Sequence, residues 1–158
     1  MGDRHPFMSR EFGRDDYDPD NPGSFKPDMV GVAMPFKGKE WDDVYAVIKE
    51  ECVKLALKPQ RVDEYVRSGI VIRDIAELIE SSEFLIFDLS AERQNVYYEL
   101  GYAHGVGNEA DDILLIARQG TQLHYDIAGL RVHFYDSLED LRAVLSRSLG
   151  VMIRATRK

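Results

Sequence analysis

The stretch Asp88-Leu-Ser-Ala-Glu-Arg-Gln-Asn-Val-Tyr-Tyr-Glu-Leu-Gly-Tyr-Ala-His-Gly-Val-Gly107 concentrates the side chains that could do chemistry. It opens with Asp88 directly after the apolar run Phe84-Leu-Ile-Phe87, where a burial-averse carboxylate is tolerated only if something binds or solvates it. Asn95 is placed to cap a helix, and Glu99 then falls four residues in, one turn above the cap on the same side. The helix macrodipole favours a carboxylate there and keeps Glu99 ionised, as a nucleophile must be. Two carboxylates in different environments, facing one crevice, can divide acid–base and nucleophilic work between them. Gly101 and Gly105 leave the same helix a smooth strip for close approach to a neighbour.

Positioning these groups falls to a repeating pattern of strands and helices. Residues 1–28 hold no Leu, Ile or Val and four of the six prolines, so they cannot build a core and are expected to form a flexible arm. From Met29 the pattern changes to short apolar runs alternating with amphipathic stretches, the signature of repeating β-α units. Val30–Met34, Phe84–Phe87 and Ile113–Ala117 are apolar on both alternating faces, as central parallel strands covered by helices must be. Gln60–Asp63 is polar enough for an edge strand, and Arg131–Tyr135 supplies a fifth. Helices are expected over Trp41–Leu57, Ile70–Ile79, Asn95–Val106 and Ser137–Leu149, the last opening with a Ser137/Asp140 capping box.

This order predicts a doubly wound α/β domain over 29–150, a five-stranded, mainly parallel sheet in the order 2-1-3-4-5 with helices on both faces, of flavodoxin-like type. Residues 151–158 are read as a basic, solvated tail. Doubly wound sheets bind ligands where the strand order reverses, above the carboxyl ends of strands 1 and 3. Pro35–Lys39 and Asp88–Asn95 are therefore expected to line the crevice.

Composition narrows the function classes. The chain has 158 residues, 44% hydrophobic and 30% charged, which is one ordinary globular domain and neither a disordered nor a fibrous chain. Its formal net charge of −8 repels nucleic-acid backbones and anionic lipid, so neither duplex nucleic acid nor a membrane is an expected partner. Absence of an apolar leader at the N-terminus makes the cytoplasm the expected address. Cys52 sits on the apolar stripe of the first helix and reads as an inert core thiol. His5, His104, His124 and His133 show no ligand spacing, so no metal site is expected. Gly101, Gly105 and Gly107 lie in or after a helix, away from the first strand–helix turn a dinucleotide fingerprint requires.

The segment Asn95-Val-Tyr-Tyr-Glu-Leu-Gly-Tyr-Ala-His-Gly105 resembles the catalytic-helix motif of the nucleoside 2-deoxyribosyltransferase family. Val30-Gly-Val-Ala-Met-Pro-Phe36 resembles that family's first strand and substrate loop, and Tyr125-Asp-Ile with Arg131–Tyr135 resembles a stretch in its TIR-like relatives. The resemblance covers roughly Val30 to Leu149. It implies cleavage of an N-glycosidic bond in a nucleoside or nucleotide, by deoxyribosyl transfer or hydrolysis. Glu99 matches the nucleophile, and Asp88 would donate to or orient the leaving base. The implied substrate-facing set is Met34, Pro35, Phe36, Asp63, Gly69, Ser90, Arg93, Asn95 and Tyr102. No cofactor is implied, and a homo-oligomer is. The other reading is a non-catalytic TIR-like module that binds a nucleotide signal or assembles with partners. If the carboxylates share a site they should stand roughly 5–9 Å apart, as paired glycosidase acids do; on opposite faces of the sheet they would share none.

Overall fold

The computed structural model describes residues 25–35, 37–62, 72–90, 94–105, 112–123 and 131–157. Five strands, β1 (Lys26–Ala33), β2 (Lys58–Arg61), β3 (Ser82–Asp88), β4 (Ile113–Arg118) and β5 (Val132–Tyr135), stand with four helices, α1 (Lys39–Lys54), α2 (Ile72–Ser81), α3 (Gln94–Gly105) and α4 (Leu138–Thr156). The strands form one sheet in the order β2-β1-β3-β4-β5, every neighbouring pair parallel. This is the expected topology, and its cause is visible in β3: all seven residues are buried, which only a central strand covered on both faces can sustain.

Strand alternation splits the core in two. Phe84 and Ile86 join Val30, Val32, Leu114 and Ile116 on the face covered by α1 and α4. Leu85 and Phe87 join Ile113 and Leu115 on the face covered by α2 and α3. On the first face α1 brings Trp41, Val44 and Ile48, and α4 brings Leu141, Leu145 and Leu149. On the second, α3 presents Val96, Leu100 and Ala103 at helical spacing.

Several boundaries differ from the sequence expectation. β1 begins at Lys26, within the stretch assigned to the arm, and Phe25 just before it is buried. β2 lies at Lys58–Arg61 instead of Gln60–Asp63; Pro59 is accommodated because β2 is an edge strand. α1 stops at Lys54, where Ala56 turns into the left-handed region (φ 59°) and the Leu57 amide donates to the Cys52 carbonyl at 2.9 Å. α4 continues through the expected tail to Thr156, and Arg157 beyond it is no solvated terminus: it donates to Glu83 and to Asp28. At the start of α4, Ser137 Oγ accepts from the Asp140 amide at 3.0 Å, as its spacing predicts, while the Asp140 carboxylate accepts from the amide of Asp136.

Candidate functional site

Asp88 ends β3 at the carboxyl edge of the sheet and is fully buried. Its two oxygens are both occupied by the protein. The Ser90 amide donates to Oδ1 at 2.9 Å, a turn closed by the aspartate's own side chain, and the Tyr135 hydroxyl donates to Oδ2 at 2.7 Å. Ser90 Oγ in turn accepts from the Arg118 amide at 2.7 Å, so the end of β3 is tied to the ends of both β4 and β5. Burial pushes the Asp88 carboxyl above the ordinary aspartate range, and the bonds from Ser90 and Tyr135 and the charge of Arg118 only partly offset that rise. Tyr135 also shifts upward, by burial first and by the adjacent carboxylate second, so it remains the donor.

Glu99 is carried by α3. Asp88 continues the alternation of Phe84 and Ile86 and bonds Tyr135, placing its side chain on the α1/α4 side of the sheet. Glu99 belongs to α3, whose Val96, Leu100 and Ala103 pack on the opposite side. Glu99 is itself buried, 9% exposed, and has an interaction partner of its own. Asp88 is thus committed to Ser90 and Tyr135 on one side of the sheet, while the helix that carries Glu99 packs its apolar residues on the other.

The strand order reverses between β1 and β3, and the chain leaving β1 there is built differently. Met34 and Pro35 are buried, and the chain reappears at exposed Lys37, Gly38 and Lys39. Gly38 has φ +124°, a conformation that favours glycine, and as the cap of α1 it supplies no side-chain bond to the helix's first amides. The first turn carries Glu40 and Asp42, whose charges would repel an anion, but each is engaged by an arginine. Arg118 from the end of β4 reaches Glu40 at 3.2 Å and lies over the buried Trp41 ring at 4.5 Å from its centroid. Arg61 from the end of β2 reaches Asp42 at 3.5 Å. The edge at the reversal thus combines open helix amides, two exposed lysines and two arginines.

Of the remaining expected residues, Phe36, Asp63, Gly69 and Arg93 lie outside the described residues, and Asn95 is placed only by its backbone in the first turn of α3. Tyr102 turns to α2, its hydroxyl donating to Glu80 at 3.3 Å. Ser90 serves Asp88 and Arg118, as above. Sequence reasoning missed Tyr135, Arg118 and Trp41. Their signal was positional: Tyr135 and Arg118 close two neighbouring strands in register at the edge where Asp88 closes a third.

All-parallel pairing, strand order and the two helix layers define a flavodoxin-like α/β domain. Solved structures bear this out: a single-site mutant of a flavo di-iron protein from Thermotoga maritima superposes with TM-score 0.60 at 14% identity, over 83% of this chain and 38% of that one. A flavoprotein from the same organism superposes with TM-score 0.58 at 12% identity, over 83% of this chain and 38% of that one. This chain therefore spans little more than a third of the length of those proteins, and at such identity the likeness is one of fold. No family model and no curated protein matches the chain.

These neighbours correct the deoxyribosyltransferase resemblance and the TIR-like alternative with it: the proteins that share this fold here are flavoproteins. Transfer or hydrolysis of a glycosidic bond loses its family support with them. The physical reason the motif suggested otherwise is that Val96, Leu100 and Ala103 give it the apolar spacing of a helix packed on a sheet. Among the described residues no group of three or more His, Cys, Asp or Glu side chains could hold a metal ion. No helix among them is long and apolar enough to cross a membrane.

Proposed function

We propose that this chain is a flavin-binding redox domain, holding flavin mononucleotide where the strand order reverses between β1 and β3. The carrying observation is the opening of α1: exposed Gly38 at positive φ, followed by helix amides that receive no side-chain cap bond among the described residues. A phosphate fits such an end, because the amide donors and the helix dipole both favour a negative group. Lys37 and Lys39 add positive charge beside it, while Arg118 and Arg61 hold the first-turn carboxylates. The neighbouring flavoproteins support the same ligand, and flavodoxin-like sheets of this strand order carry flavin mononucleotide at this switch point. Bound flavin would supply one- and two-electron transfer; the protein's part is to hold the phosphate and orient the ring. A cytoplasmic address belongs to this reading and is supported by the single cysteine, Cys52, which is free and buried.

Gly38→Ala tests the cradle. The added Cβ meets only ordinary van der Waals neighbours, 3.7 Å from Trp41 Cδ1, so the strain falls on the backbone at φ +124°. Affinity for flavin mononucleotide should fall about tenfold while affinity for phosphate-free riboflavin changes little, a loss of the size of one charge-assisted hydrogen bond. Equal effects on both flavins, or none on either, would place the phosphate elsewhere.

A further inference from the structure

At the opposite end of the sheet, where β4 and β5 begin, lies a half-open cavity of about 410 Å³, within the size range of small-molecule sites. Its floor is apolar: Ile113, Leu114 and Leu115 from β4 and Met152 from α4 are all buried. The rest of its lining includes basic side chains. Arg131, just before β5, Arg147 on α4 and His104 at the end of α3 are exposed, and half-buried His133 stands between them on β5. Among the described residues no aspartate or glutamate lines the cavity, and neither arginine forms an ion pair. In a chain of net charge −8, the described lining gathers four basic side chains and no acid, against the sign of the molecule as a whole.

We propose that this cavity is a binding site for a small amphiphilic monoanion, a carboxylate on an apolar chain, whose head group pairs with Arg131 and Arg147 and whose chain covers the apolar floor. An inorganic anion would leave that floor in water, and a neutral apolar molecule would leave the arginines unpaired; only an amphiphile satisfies both. The site is independent of the flavin reading, since it is built at the amino ends of β4 and β5 and shares no residue with the β1–α1 opening. His133 supplies a reporter. Burial, then the charges of Arg131 and Arg147, hold its imidazole below the ordinary histidine value. A bound carboxylate offsets those two charges and moves the titration upward; among the described lining residues His104 is the other histidine.

Calorimetric titration of the full chain with decanoate tests this, with decanamide as the uncharged counterpart and the histidine titrations followed by NMR. Saturable one-to-one decanoate binding is expected, with decanamide weaker by about tenfold or more, the size of a lost charge-assisted bond. Arg147→Gln, and separately Arg131→Gln on the strand side, should each weaken decanoate to a similar degree. Arg142→Gln removes the same charge from the same helix, but its partners are Glu50 and Glu51, away from the cavity, and should leave binding unchanged. The His133 titration should move to higher pH with decanoate bound. Equal binding of decanamide, an Arg142→Gln loss matching that of Arg147→Gln, an unmoved His133, or no saturable binding would each overturn the assignment.

Discussion

The Tyr135 hydroxyl donates to Oδ2 of Asp88 at 2.7 Å, joining the end of the edge strand β5 to the end of β3 across β4, in a site where both residues are buried. With the Ser90 amide on Oδ1, the bond gives both oxygens of a buried carboxyl a donor at the end of an apolar strand. Tyr135→Phe leaves Oδ2 without this partner and should destabilise the fold by about 1–3 kcal/mol, the usual penalty for an orphaned buried acceptor, read from the urea midpoint.

Asp88 also sets a pH dependence. Its folded pKa is raised above the ordinary 3.8 by burial, so the folded state binds the proton more tightly than the unfolded chain does. Its contribution to stability is therefore fully present below the unfolded value and is lost as pH rises through the folded pKa. Asp88→Asn should flatten the urea stability profile in the window above pH 3.8. A profile as steep as that of the unmodified chain would show that the slope comes from other groups.

Arg157 closes the far end of the sheet. It donates to buried Glu83 at 2.6 and 2.9 Å and to Asp28 at 2.6 Å, linking the residue after α4 to β3 and β1. Arg157→Gln should cost about 2 kcal/mol, mostly from removing two charge-assisted bonds to the buried Glu83 carboxylate and reduced by the arginine's partial exposure. Chemical denaturation of the variant measures this.

Gly31 sits on β1 where its neighbours press closest. A Cβ there would stand 2.8 Å from Leu85 Cδ2 and 2.9 Å from Ser82 Oγ. Gly31→Ala should lower stability by about 1–3 kcal/mol through overpacking between β1 and β3, seen as a lower thermal midpoint.

Cys52 is fully buried, and burial pushes its thiol up to about 12. At neutral pH it should resist an aromatic disulfide reagent in the native protein and react fully in denaturant. Fast native labelling would show that α1 opens readily.

The sheet was legible in the sequence because its signals are local. Ile113-Leu-Leu-Ile-Ala117 can be soluble only as a strand covered on both faces, and the alternation of such runs with amphipathic helices leaves few topologies. The ends were less legible. Ala56 in the left-handed region and Pro59 on an edge strand depend on what packs around them. The site was misread for a related reason: the motif around Glu99 is local, but what surrounds Asp88 is set by residues far along the chain. Tyr135 lies 47 residues from Asp88, and nothing local announces their bond.

The central claim is that the opening of α1 holds the phosphate of a flavin. Its most direct test is to titrate flavin mononucleotide with the purified full chain, following flavin fluorescence, with riboflavin in parallel. Saturable quenching of flavin mononucleotide at one per chain, with riboflavin bound at least about tenfold more weakly, is the expected result. Fluorescence of both flavins unchanged up to the highest protein concentration reached would contradict it.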